Sequence, residues 1–89
     1  MATDVQSLKQ KRAVVRPIVA ELRRRFEVSA AETGDQDLHR RAELAVAIVS
    51  STHARAVEVL EACERLVAAR PEIELLSARR RVLDDEDLN

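Results

Sequence analysis

The stretch that decides the fold is RFEVSAAET, which occupies residues 25–33. Before it, apolar residues recur every three or four positions, the spacing of an amphipathic helix. From Phe26 onward, apolar side chains fall on every second position, as they do along a strand. This change of period predicts a helix over about Ser7 to Arg25 followed by a strand over Glu27–Thr33. Ser7 is the predicted N-cap of the helix, and Pro17 is expected to bend it.

Residues 33–37 are of types that favour a turn, so a turn is predicted at Thr33–Asp37. Three further segments follow it. The run Ala42–Ser50 is apolar on both faces and predicts an internal strand, although its Ala-Glu-Leu beginning also permits a helix. Ser51 and Thr52 are expected to cap a second helix over His53–Arg70, which Pro71 ends. A last strand is predicted over about Ile73–Leu83.

The resulting order, α-β-β-α-β, predicts an α+β fold of the ferredoxin-like type, βαββαβ, with its first strand missing. Two helices would cover one face of an antiparallel sheet. Residues 1–83 would form a single domain, and residues 84–89 an acidic C-terminal tail. The missing strand would lie inside the sheet, between the third and fourth strands. We therefore expect that the start is misassigned or that another chain completes the sheet.

Composition indicates a small cytoplasmic protein. The chain has 89 residues, 46% of them hydrophobic and 35% charged, which is typical of a globular domain. No apolar run approaches the roughly 20 residues that span a bilayer, so no membrane association is expected. The only cysteine, Cys63, excludes an internal disulfide and is interpreted as a small core side chain.

The net charge of −1 conceals an uneven distribution. From Lys9 to Arg25 there are seven basic residues and one acid, a balance of +6, whereas residues 84–87 are all acidic. Four of the basic side chains fall within about 60° on the first helix: Lys9, Arg12, Arg16 and Arg23. An aligned basic face suits binding to an RNA phosphate backbone, and the alternative interpretation is an ordinary solvated face.

No residue pattern indicates catalysis, a cofactor or a firm metal site. The only weak metal ligands are Asp35, Asp37 and His39, which are more simply interpreted as turn residues. A single glycine excludes a glycine-rich phosphate loop, and no nucleophile lies beside a base in a recognisable arrangement. The three arginines at 79–81 are interpreted as charges that protect an edge strand or pair with the acidic tail. We therefore predict that the protein is not an enzyme.

Several short motifs, in register from about Asp4 to Leu83, carry a family resemblance. SLKQKR at 7–12, VVR at 14–16, RFEVSAAE at 25–32, QDL at 36–38 and RAEL at 41–44 resemble segments of the bacterial YlxP-like family, a domain family of unknown function. The resemblance implies a ferredoxin-like fold with a further strand ahead of SLKQKR. The chain departs from the family pattern at Ala45, where many relatives have glycine, and at His39, where the residue is often aromatic.

The family resemblance also implies a gene setting beside translation initiation and ribosome-maturation genes. It predicts an accessory factor of translation that contacts ribosomal RNA or a ribosome-maturation factor through the first helix. The alternative is a protein–protein adaptor or a homodimer that assembles through sheet edges and has no nucleic-acid role.

Overall fold

The computed structural model describes residues 2–34, 41–84 and 86, with the backbone alone for 2–7. Its elements are helix α1 at Ala2–Arg25, strand β1 at Ser29–Gly34, strand β2 at Glu43–Ala47 and helix α2 at His53–Ala68. The chain divides into two compact units, Met1–Ala47 and Ile48–Asn89. The predicted α+β class is confirmed.

Helix α1 is longer than the sequence pattern predicts. It begins at Ala2, five residues before Ser7, so the predicted N-cap at Ser7 is wrong. Residues 2–6 contain no proline or glycine that would stop a helix from extending toward the N-terminus. Pro17 lies inside the continuous helix, and its ring is exposed, so it displaces no core side chain.

The apolar face of α1 forms the core of the first unit. Ile18 and Leu22 are 2% and 0% exposed, and Val15 and Val19 are also buried, as the helical period predicts. The main contacts of α1 within this unit are with β1. Leu22 alone would contribute about 2 kcal/mol by leaving water, by the usual value for burying a leucine.

Strands β1 and β2 form a two-stranded antiparallel sheet. The register pairs Ser29 with Ala47 and Ala31 with Ala45, and an irregularity follows between Glu32 and Gly34. Both predicted strands are therefore present, although each is shorter than the alternation of the sequence suggests. The residues that join them, 35–40, lie outside the described residues, and so does most of the predicted turn at Thr33–Asp37.

The predicted strand at Ile73–Leu83 is wrong, because residues 73–84 have no regular secondary structure. In a ferredoxin-like sheet the last strand pairs only with the first, which the predicted element order lacks. An extended segment without a neighbouring edge has no ladder in which to place its N–H and C=O groups. Its alternating sequence was therefore insufficient to make a strand.

In the second unit, helix α2 begins where its sequence signal predicts. The Thr52 hydroxyl accepts a hydrogen bond from the Arg55 N–H at 3.2 Å, which confirms Thr52 as the N-cap. The buried side chains of α2 are Ala56, Val59 and Cys63. None of the helices in the described residues is long and apolar enough to span a membrane.

The Arg80 guanidinium lies 2.9 Å from the Glu61 carboxylate of α2. Because residues 79–81 form no strand, the predicted role of these arginines in protecting an edge strand is wrong. Arg80 instead links the irregular segment to α2, through an ion pair of which both side chains are nearly half exposed.

Candidate nucleic-acid interface

The four predicted basic residues lie along α1 with exposed side chains: Lys9, Arg12, Arg16 and Arg23. We refer to these four residues as the basic stripe. At 1.5 Å per residue, the stripe extends for about 21 Å along the helix axis. A single uninterrupted helix holds all four, so their order and spacing are fixed by its backbone.

The other cations of α1 are paired with acids. Lys11 Nζ lies 2.9 Å from Glu32 Oε2 on β1, and the guanidinium groups of Arg24 and Arg25 lie 3.9 and 3.6 Å from Glu21 Oε1. In contrast, none of the acids in the described residues forms an ion pair with the Lys9, Arg12 or Arg16 side chain. Among the described residues, the α1 cations without an ion-pair partner are therefore those of the stripe.

Arg23 differs from the other three stripe residues. Its Nε donates a hydrogen bond to the Ala30 carbonyl of β1 at 2.9 Å. Its side chain lines an open depression of about 580 Å³ whose other walls are residues 28–31 of β1 and its approach and 45–47 of β2. Because a guanidinium carries five N–H donors, Arg23 can hold the sheet and still offer donors to a phosphate.

Lys11 is the feature of this region that charge counting misses. It is 8% exposed, although the charge count treats it simply as one of the seven basic residues from Lys9 to Arg25. The available signal is its position: Lys11 lies four residues before Val15 and seven before Ile18, which places it on the buried face. A lysine there requires a carboxylate partner, and Glu32 provides one.

The weak metal candidates Asp35, Asp37 and His39 lie outside the described residues. Within the ranges that are described, no group of three or more histidine, cysteine, aspartate or glutamate side chains could hold a metal ion. Cys63 is buried in the face of α2, and desolvation raises the pKa of its thiol from the ordinary value of 9.0. A thiol with a raised pKa is a weaker nucleophile at neutral pH, as expected of a core side chain.

These residues define a small α+β protein in which a long helix supports a β-hairpin and displays a row of cations. The chain belongs to the family described as Protein of unknown function (DUF503), whose model matches residues 1–80. It is 37% identical over 71 residues to the uncharacterized protein YlxP of Bacillus subtilis (strain 168). The match covers 80% of this chain and 77% of that relative. No solved structure matches the chain. The YlxP-like family resemblance is therefore confirmed.

Proposed function

We propose that this protein is a cytoplasmic, non-enzymatic accessory factor of translation that binds ribosomal RNA through the basic stripe. The observation that carries the proposal is the exposure of Lys9, Arg12 and Arg16 on one helix face without an acidic partner among the described residues. The link to translation rests on the gene setting that the family resemblance implies.

The chemistry of the surface favours contact with the phosphate backbone. Each phosphate that a lysine or arginine neutralises releases condensed counterions, which drives binding at low salt. Stacking on bases requires exposed aromatic rings, and Phe26 is the only aromatic residue of the chain. Its ring is half-buried and lies 5.4 Å from the Arg25 guanidinium carbon. Recognition would therefore depend on the shape and charge of the RNA backbone.

The decisive experiment compares two pairs of neutralising substitutions on the same helix. The first variant, Arg12→Gln/Arg16→Gln, removes two stripe charges that form no ion pair within the described part of the chain. The matched control, Arg24→Gln/Arg25→Gln, removes two charges that lie beside Glu21. Binding to ribosomal subunits and to an RNA duplex is measured across a salt series.

We expect the stripe variant to bind more weakly. Each phosphate contact contributes roughly 0.7–0.9 to the magnitude of the slope of log K against log salt. The loss of two contacts should therefore reduce the magnitude of that slope by about 1.4–1.8. The control should retain most of the slope. Absence of binding by the wild-type protein at low salt, or equal loss in both variants, would contradict the proposal. A protein–protein adaptor would instead associate with its partner at an affinity that changes little with salt.

A further inference from the structure

A gap interrupts the basic stripe at Ala20. Successive stripe residues are three, four and seven positions apart, which corresponds to about 4.5, 6 and 10.5 Å along the helix axis. Position 20 would continue the stripe, because it lies four residues after Arg16 and three before Arg23. It is instead an exposed alanine, whose methyl side chain has no polar atom. The widest interval of the stripe therefore carries no charge.

A depression of about 300 Å³ lies at this gap, between α1 and β1. We refer to it as the Ala20 depression. Its lining includes Val15 and Val19, which are 6% and 9% exposed, so that its floor is aliphatic. None of the residues that line it belongs to β2, the strand with which a missing first strand would pair. The volume is at the low end for small-molecule sites, which is enough for one nucleobase.

Two arginines flank the Ala20 depression, one on either side of Ala20 along the helix. Arg23 is held in place, because its Nε donates to the Ala30 carbonyl at 2.9 Å, and its guanidinium has further N–H donors to offer. Arg16 forms no ion pair within the described ranges.

The acid among the described lining residues, Glu32, does not cancel these two charges. Its carboxylate lies 2.9 Å from the Lys11 ammonium, which offsets its own charge. The Ala20 depression is therefore an apolar hollow between two cations.

This arrangement matches the repeating pattern of a nucleic-acid strand, in which an anionic phosphate stands on either side of each ribose and base. A stacked strand presents its phosphates at short, regular intervals, which suits Lys9, Arg12 and Arg16. The wider interval from Arg16 to Arg23 requires the strand to extend at that point. A nucleotide that leaves the stack allows this extension, and its base can then enter the depression.

We propose that the Ala20 depression receives one unpaired nucleotide, so that the RNA recognised by this protein carries a bulge or loop where α1 contacts it. Arg16 and Arg23 hold the phosphates on either side of this nucleotide, and its base contacts the aliphatic floor. An unpaired base can leave the stack at lower cost than a paired one, which favours such an RNA over an uninterrupted duplex. The inference rests on the proposed RNA binding and names the class of RNA.

The test compares an uninterrupted RNA duplex with the same duplex carrying one extra, unpaired adenosine. Dissociation constants are measured for the wild type and for Ala20→Leu, which fills the depression and keeps every charge of the stripe. The matched control is Ala13→Leu, which makes the same change at an exposed alanine of α1 outside the depression.

The wild type should bind the bulged duplex about fivefold more tightly, near the low end for one base contact because the floor is aliphatic rather than aromatic. Ala20→Leu should bring the two dissociation constants within about twofold of each other by weakening binding to the bulged duplex alone. Ala13→Leu should retain the preference of the wild type.

Equal binding of both RNAs by the wild type, or a preference that persists in Ala20→Leu, would overturn this inference. In either case, salt-dependent binding to the uninterrupted duplex would leave the proposed function standing. If the wild type binds neither RNA at low salt, both proposals are wrong. Should Ala20→Leu fail to fold, the comparison of the two RNAs with the wild type decides.

Discussion

Lys11 of α1 and Glu32 of β1 form an ion pair, with 2.9 Å between Nζ and Oε2, at the contact between the helix and the sheet. The Lys11 side chain is 6% exposed and that of Glu32 is 20% exposed. A buried ammonium is costly to desolvate unless an anion accompanies it. The pair therefore favours the arrangement in which Glu32 of β1 lies beside Lys11 of α1.

Removing one member of this pair should destabilise the protein strongly. Glu32→Ala leaves the Lys11 ammonium buried without this carboxylate, and we expect a loss of about 3 kcal/mol, the low end of the range for a broken buried pair. Lys11→Met/Glu32→Leu should recover most of that loss, because apolar side chains replace both charges. Urea denaturation followed by circular dichroism measures these free energies of unfolding.

The control for this experiment is the exposed pair Arg55–Glu58 on α2, whose side chains are both well solvated. Glu58→Ala should cost less than about 1 kcal/mol. Similar losses for Glu32→Ala and Glu58→Ala would show that the burial of the first pair contributes little to stability.

Within the basic stripe, Arg23 should be the one residue whose neutralisation affects folding. Arg23→Gln removes the hydrogen bond from Nε to the Ala30 carbonyl and should cost about 1 kcal/mol of stability. Arg16→Gln removes no hydrogen bond among those observed and should change stability by less than about 0.5 kcal/mol. Thermal melts of the two single variants, side by side, measure the difference. Equal melting temperatures would mean that the Arg23 contact is energetically neutral.

Cys63 should make stability depend on pH in the alkaline range. Because burial raises the pKa of its thiol above 9.0, the native state holds the proton more tightly than the unfolded chain does. This contribution to stability is complete below pH 9.0 and is lost as the pH rises through the pKa of the folded state. The difference in unfolding free energy between the wild type and Cys63→Ala should therefore shrink above pH 9.0. A thiol reagent should also modify native Cys63 far more slowly than the urea-unfolded chain.

The parts of the fold that the sequence predicted correctly depend on local signals. The apolar period of α1, the alternation after Phe26 and the Thr52 cap each act within a few residues, and each matches the structure. The segment at 73–83 carried a comparable local pattern but is not a strand. A strand requires a neighbouring edge, and no property of its own residues supplies one.

In the candidate site, too, the features set by local sequence were predictable and those set by contacts between elements were not. The alignment of the basic stripe follows from helical spacing alone, so it was predictable. The pairing of Lys11 with Glu32 depends on how a helix and a strand 21 positions away meet, which spacing within α1 cannot specify. The hydrogen bond from Arg23 to the Ala30 carbonyl likewise could not be predicted from the sequence, because it depends on where the hairpin lies against α1.

The connectivity of residues 2–47 has a consequence for the kinetics of folding. The main contacts between elements of this unit join neighbours along the chain, α1 with β1 and β1 with β2. Pairing elements that follow one another along the chain requires the closure of shorter loops than pairing the two ends of a chain does. The helix and hairpin of this unit can therefore assemble by successive docking of neighbours in the sequence, α1 with β1 and β1 with β2.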